Sequence, residues 1–229
     1  MQTDYDLICF DLDGTLVDTA AEISEAVNLA LDAHGIARRP VAEITLLIGA
    51  GTADLMRRLT ERMVQEQPAL ASRVCLPELL HSLDGCYART TGTQARPYEG
   101  CVQALADLQA AGLRMACVTN KEMRHARAVL QVTGLQGFFD LTIGGDSLPE
   151  KKPHASVLQH VAAVLGASLA RSAHVGDSLT DVLAARNAGM LAWAVPYGYN
   201  AGRPIIDAQP DRIFDSLAEV ARHVLAHER

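Results

Sequence analysis

Long hydrophobic runs are missing from this 229-residue chain. No apolar stretch approaches the roughly 20 residues that cross a bilayer, so a membrane-spanning helix is excluded. Paired cysteines are missing too: Cys9, Cys75, Cys86, Cys101 and Cys117 form no CxxC pair. Cys9 and Cys117 lie within apolar, strand-like runs and read as small buried hydrophobes. The odd count, and an acidic N-terminus without a signal-peptide pattern, lead to the expectation of a reducing cytoplasm. Positive charge is in deficit, with 20 Lys and Arg against 27 Asp and Glu and a formal charge of -7. That balance argues against a nucleic-acid backbone as the main partner. It does not exclude a small anion, because one local lysine can dominate a pocket. A dinucleotide fingerprint is also absent, since Gly49–Ala50–Gly51 follows no strand and holds too few glycines.

What is present is the composition of a soluble globular protein, 49% hydrophobic and 21% charged, long enough for one large domain or a main domain with an insert. Leu7–Phe10 reads as a buried strand, with Asp11 and Asp13 at its C-terminal end and Gly14–Thr15 marking a turn. Helices follow: one capped by Asp18 or Thr19 and stopped at Gly35, one after Pro40, one over Thr52 to Gln67 and one over Leu76–Thr90. No strand is legible between Val17 and Pro97. The pattern then alternates: helix Val102–Gly112, strand Leu113–Thr119, helix Lys121–Val132, strand Phe139–Gly144 and helix Ala155–Leu165. Strand Ser172–Gly176, helix Leu179–Ala188 and strand Met190–Val195 complete it. This predicts an α/β protein, an open parallel sheet core formed by residues 1–17 and 93–229, with residues 18–92 inserted as a helical domain.

Ligands of such sheets gather beyond the C-terminal ends of the strands, where Asp11, Asp13, Thr119, Asn120, Asp146, Asp177 and Asp181 all fall. Alternate residues share a face, so Asp11 and Asp13 are neighbours, costly without a counterion. One chemistry uses such a pair directly. One carboxylate attacks phosphorus, the other handles the proton, and Mg²⁺ screens both. The Thr119–Asn120 turn either holds a phosphoryl oxygen or caps the next helix. Of Lys151 and Lys152, the one next to Pro153 is the candidate to compensate Asp11 and draw charge from a phosphoryl group. Asp177 and Asp181, four apart across a strand end and a first helical turn, suit a metal and its water shell, with Asp177 or Ser178 also able to cap. Oxygen ligands without a cysteine or histidine cluster suit Mg²⁺. His174 reads as a core residue or a support to a ligand. The Gly49–Gly51 turn either brings the insert to a substrate or only links two helices, and the loop 196–200 is either part of the site or a turn.

Taken together, DLDGTLVDT, Thr119–Asn120, Lys152–Pro153 and GDSLTD resemble the four motifs of the haloacid dehalogenase-like phosphohydrolases. The resemblance implies a Rossmann-like core with a helical cap inserted after the first motif. IGAGTADLMRRL, RPYEG, GGDSLPEKKP, GDSLTDVLAARNAG and VPYGYN further resemble the phosphoglycolate phosphatase branch, although His154–Ala155–Ser156 stands where that branch usually has more prolines. The resemblance implies Asp11 as nucleophile, Asp13 as acid and base, and Thr119, Asn120 and Lys152 on the phosphoryl oxygens. Thr15 joins them among the phosphate- or substrate-binding residues. Mg²⁺ would be held by Asp11, the Asp13 main-chain carbonyl and Asp177, with Asp181 touching the ion or its waters. Gly49, Gly51 or Arg57 would receive the substrate carboxylate. The expected partner is a small phosphorylated metabolite, with no nucleic acid and no membrane, acted on by a monomer or homodimer. A sugar-phosphate mutase and a phosphorylatable receiver domain are the alternatives.

Overall fold

The computed structural model describes residues 4–226, so residues 1–3 and 227–229 of the expected core segments lie outside the described residues. The first strand, β1 (Leu7–Phe10), is buried throughout, as an apolar run covered on both faces should be. After β2 (Val17–Asp18) come α1 (Ala20–Ala33), α2 (Val41–Thr45), α3 (Thr52–Glu66) and α4 (Leu76–Thr90), then β3 (Arg96–Pro97). Alternation begins with α5 (Cys101–Ala110), β4 (Arg114–Val118), α6 (Met123–Val132), β5 (Leu141–Ile143) and α7 (Ala155–Leu165). It ends with β6 (Ser172–Gly176), α8 (Leu179–Ala188), β7 (Leu191–Ala194), β8 (Arg212–Ile213) and α9 (Leu217–Leu225).

Six strands form a parallel sheet in the order β5-β4-β1-β6-β7-β8. β1 lies between β4 and β6, with Leu7 opposite Arg114 on one side and Ser172 on the other. The chain moves from β1 first to one side and later to the other, so the C-terminal end of β1 is a topological switch point, where such sheets bind ligands. Period-two alternation separates two cores. Ile8, Phe10, Met115, Cys117 and Val175 face one side with α5, α6 and α9, while Leu7, Cys9, Ala116 and Val118 face α7 and α8. Cys9 and Cys117 lie one in each core, and burial pushes the Cys9 thiol up to about 12. Helices α1 to α4 surround a third core that includes Val27, Leu31, Leu55, Leu59, Met63, Leu79 and Leu83, spaced three and four apart as amphipathic helices require.

Two features depart from the expectations. Val17 and Asp18 pair antiparallel with Pro97 and Arg96, tying the entry of the helical segment to its exit. A two-residue strand has no periodicity, so it is invisible to pattern reading. Helix α9, capped by the Ser216 hydroxyl on the Glu219 N–H, buries Leu217, Val220 and Val224 against the sheet and extends the fold beyond the last expected strand. Among the described residues no helix is long and apolar enough to cross a membrane.

Candidate active site

The Asp11 N–H continues the ladder to Val175 O at 2.9 Å, holding the residue after β1 in strand geometry. The chain then doubles back: Gly14 N bonds Val17 O, and Leu16 and Val17 both donate to Leu12 O. Gly14 turns this corner at φ 87°, and a Cβ there would lie 2.5 Å from Asp177 Oδ2. Conformation and space both require glycine.

Lys152, buried beneath this loop, donates to Asp11 Oδ1 at 2.8 Å and to Asp181 Oδ1 at 2.7 Å. Asp181 Oδ1 also accepts from His174 Nε2 at 3.1 Å, and its Oδ2 accepts from the Ser178 N–H and hydroxyl in a capping box at the start of α8. Capping and site support coincide in this one carboxylate. Asp177 Oδ2 accepts from the Tyr199 N–H at 2.6 Å, and Oδ1 from the Thr15 hydroxyl at 3.2 Å. A Cβ on Gly198 would lie 2.2 Å from Asp177 Cβ, so the loop after β7 can press this close only with glycine there. Loop 196–200 is therefore part of the site, and the Thr15 hydroxyl, expected on phosphate or substrate, is directed to Asp177.

Ligand atoms from Asp11, Asp177 and Asp181 lie within 4.8 Å of one another. Burial pushes the Asp11 carboxyl up to about 7 despite the pull of Lys152. Burial, reinforced by Asp181 and Asp11, raises Asp177 well above the usual carboxylate range. Asp181 goes the other way, because Lys152 and His174 outweigh its burial. Three buried carboxylates thus stand beside one lysine, which bonds only Asp11 and Asp181, and lack positive charge. An all-oxygen donor set short of positive charge fits a hard divalent cation. The Asp13 side chain stands apart from this group, accepting on Oδ1 from the Thr19 hydroxyl at 2.6 Å and from Lys121 Nζ at 2.8 Å; its expected metal contact is the main-chain carbonyl.

Thr119 leaves β4 with its N–H on Ile143 O, and its hydroxyl accepts the Lys121 N–H at 3.1 Å, closing the turn. Asn120 Nδ2 donates to Lys152 O at 2.9 Å and to Gly49 O at 3.2 Å, linking the lysine loop to the helical segment. Asp11, Asp13, Gly49, Gly51, Thr119 and Asn120 line one cavity, closed above by Ile23, Ile48, Leu55 and Tyr87. Arg57 is not brought there. Its guanidinium pairs with Asp54 and Glu61, each at 2.7 Å, on the exposed face of α3. Lys151 is exposed and donates to Ala50 O at 2.7 Å.

Sequence reasoning missed two residues. Lys121, read only as the start of a helix, is buried and bonded to Asp13 and to the Tyr87 hydroxyl of α4. Tyr199 accepts on its hydroxyl the N–H groups of Thr19 at 2.8 Å and Ala20 at 3.0 Å, and donates to Asp18 at 2.8 Å. The Thr19 hydroxyl is engaged by Asp13 and does not cap α1; the Asp18 carboxylate does, accepting the Ala20 N–H at 3.1 Å, and the tyrosine hydroxyl adds to it. The only available signals were a lone lysine beside a strand end and a glycine-tyrosine loop.

Comparison with known proteins agrees with this geometry. Residues 5–189 match the model of the haloacid dehalogenase-like hydrolase family, and the chain belongs to that family. A phosphoglycolate phosphatase of Thiobacillus denitrificans is 38% identical over 216 residues, covering 93% of both chains. One of Nitrosospira multiformis is also 38% identical over 216 residues, covering 94% of this chain and 93% of its own. The crystal structure of a Haemophilus somnus protein, described as a predicted phosphoglycolate phosphatase, superposes with TM-score 0.91 at 30% identity, covering 97% of this chain and 99% of that one. Within the family, this chain falls in the phosphoglycolate-phosphatase-like branch.

Proposed function

We propose that this chain is a Mg²⁺-dependent phosphatase that hydrolyses 2-phosphoglycolate to glycolate and inorganic phosphate through a phosphorylated Asp11. The observation that carries the reading is the asymmetry of Asp11. Lys152 anchors Oδ1, while Oδ2 has no hydrogen-bond partner among the described residues and the side chain lines the cavity. The oxygen left free is the one placed to attack.

Asp11 Oδ2 forms a bond to phosphorus as the ester P–O bond breaks, and Asp13 gives its proton to the departing glycolate oxygen. Asp13 then takes a proton from water, which attacks the same phosphorus, releases phosphate and restores the Asp11 carboxylate. Thr119, the Asn120 backbone and Lys152 stabilise the charge that gathers on the equatorial oxygens. Asp11, Asp177 and the Asp13 carbonyl, with Asp181 in support, would hold Mg²⁺, which would supply the positive charge that lets a carboxylate approach an anionic phosphoryl group. Residues 18–92 act as a cap that excludes water and selects the leaving group, above a core formed by 1–17 and 93–229.

Released phosphate, measured with Mg²⁺ over a panel of 2-phosphoglycolate, sugar phosphates, pyrophosphate and a neutral ester, tests the proposal. The expected result is a clear kcat/KM preference for 2-phosphoglycolate; a flat profile, or preference for another ester, removes the substrate and leaves the Asp11 chemistry standing.

A further inference from the structure

Among the side chains lining the cavity there is one cation, Lys121. An ammonium carries three N–H donors and no acceptor. Two are engaged, on Asp13 Oδ1 at 2.8 Å and on the Tyr87 hydroxyl oxygen at 2.5 Å. The third has no acceptor among the described residues, and neither has the phenolic proton of Tyr87. Both groups are buried, and they share the cavity wall with the apolar side chains of Ile23, Ile48 and Leu55. Unused donors in such surroundings carry a desolvation cost that an incoming acceptor removes.

We infer that Lys121 and Tyr87 are the receptor for a second anionic group on the substrate, the carboxylate of a short phosphorylated hydroxy acid, and are specificity-determining residues. The inference rests on the phosphatase reading above and supplies the recognition element that Arg57, turned to Asp54 and Glu61, does not. Two further acids stand near: Glu22 directs Oε2 to the N–H groups of Gly92 and Gln94 at 2.8 and 3.3 Å and leaves Oε1 buried without a hydrogen-bond partner, Glu122 accepts from the Thr52 hydroxyl, and neither lines the cavity. Tyr87 comes from α4, and its ring packs against His125 at a 48° tilt with centroids 4.4 Å apart, so the receptor is complete only where the helical segment meets the sheet.

The test is a ratio: kcat/KM for 2-phosphoglycolate divided by kcat/KM for ethyl phosphate, which has the same two-carbon chain and no carboxylate. The ratio cancels the fraction of folded protein and any general effect of Lys121 on Asp13. For K121M it is expected to fall by about 10- to 100-fold, the worth of a charge-assisted hydrogen bond. Y87F, which keeps the ring and removes only the hydroxyl, should lower it by a smaller factor. If both substrates slow equally in K121M and Y87F, so that the ratio stays at its wild-type value, the receptor assignment is overturned and Lys121 serves Asp13 alone. A wild-type ratio near one overturns the substrate reading itself, which separates the two failures.

Discussion

The floor of the cavity and its roof are built on different physical terms. The floor is Asp11, which lines the cavity, backed by Lys152, Asp177 and Asp181 at the ends of β1 and β6, strands locked in register by parallel ladders. Each carboxylate oxygen there that accepts a bond does so from a buried or backbone donor. The roof meets the sheet side through separate side-chain bonds, among them Asn120 to Gly49, Lys151 to Ala50, Lys121 to Tyr87, Thr52 to Glu122 and Thr91 to His125. On the proposed function, the half locked by ladders carries chemistry common to any phosphate ester, and the half joined by separable bonds reads what is attached to the phosphate, since substrate and water must enter and leave between them.

That contrast can be broken most directly at Asp11. Asp11→Asn keeps size and shape but removes the nucleophile, so turnover should fall by about 10⁴-fold or more while circular dichroism and the unfolding midpoint show an intact fold. Retained phosphate release would dissolve the distinction between floor and roof. Next comes Lys152→Met, which leaves two buried carboxylates without their cation. We expect about 3–5 kcal/mol of lost stability in urea titrations at pH 7 without metal. A loss below about 1 kcal/mol would mean that the floor is not held by charge.

A smaller effect lies at the junction of the two halves. Burial, with Arg124 and Lys121 adding to it, lowers the His125 imidazole to about 4. The unfolded chain takes up this proton near pH 6.5, and the folded chain refuses it until about pH 4. Stability contributed by neutral His125 is therefore whole above pH 6.5 and lost as pH falls towards 4, at no more than about 1.4 kcal/mol per pH unit. Unfolding midpoints at pH 7.5 and 5.0 should converge in His125→Gln relative to wild type; parallel slopes would rule the residue out. The smallest effect is expected at Arg57→Ala. Its exposed ion pairs touch neither half of the site, so kcat/KM for 2-phosphoglycolate should stay within about twofold of wild type. A tenfold loss would return the arginine to the substrate.

The floor was legible in the sequence and the roof largely was not, for a physical reason. Asp11, Thr119 and Asp177 each follow a run of buried strand residues, and a parallel sheet collects strand ends on one edge whatever the details of packing. Asp181 was legible as the fourth residue after Asp177, since a helix turn returns it to the same place. The short ribbon of β2 and β3 left no pattern because two residues have no period. Lys121 and Tyr199 were missed for another reason. Their decisive contacts join residues 108 and 180 positions apart, and no local propensity encodes which distant backbone a buried side chain will meet. Arg57 shows the converse: a basic residue just behind a glycine turn looked suited to an anion, yet its acidic neighbours three and four positions away on the same helix claimed it first.

Tyr199 also bears on the order in which the protein is made. Its backbone N–H completes the surroundings of Asp177, and its hydroxyl closes the start of α1 across 180 positions of chain. A growing polypeptide therefore holds Asp11 and Asp13 long before it can finish their surroundings, which wait for the loop after β7. A fragment terminated before that loop carries both aspartates without the contact that fixes Asp177. The topology alone confines the assembled site to chains that extend past β7.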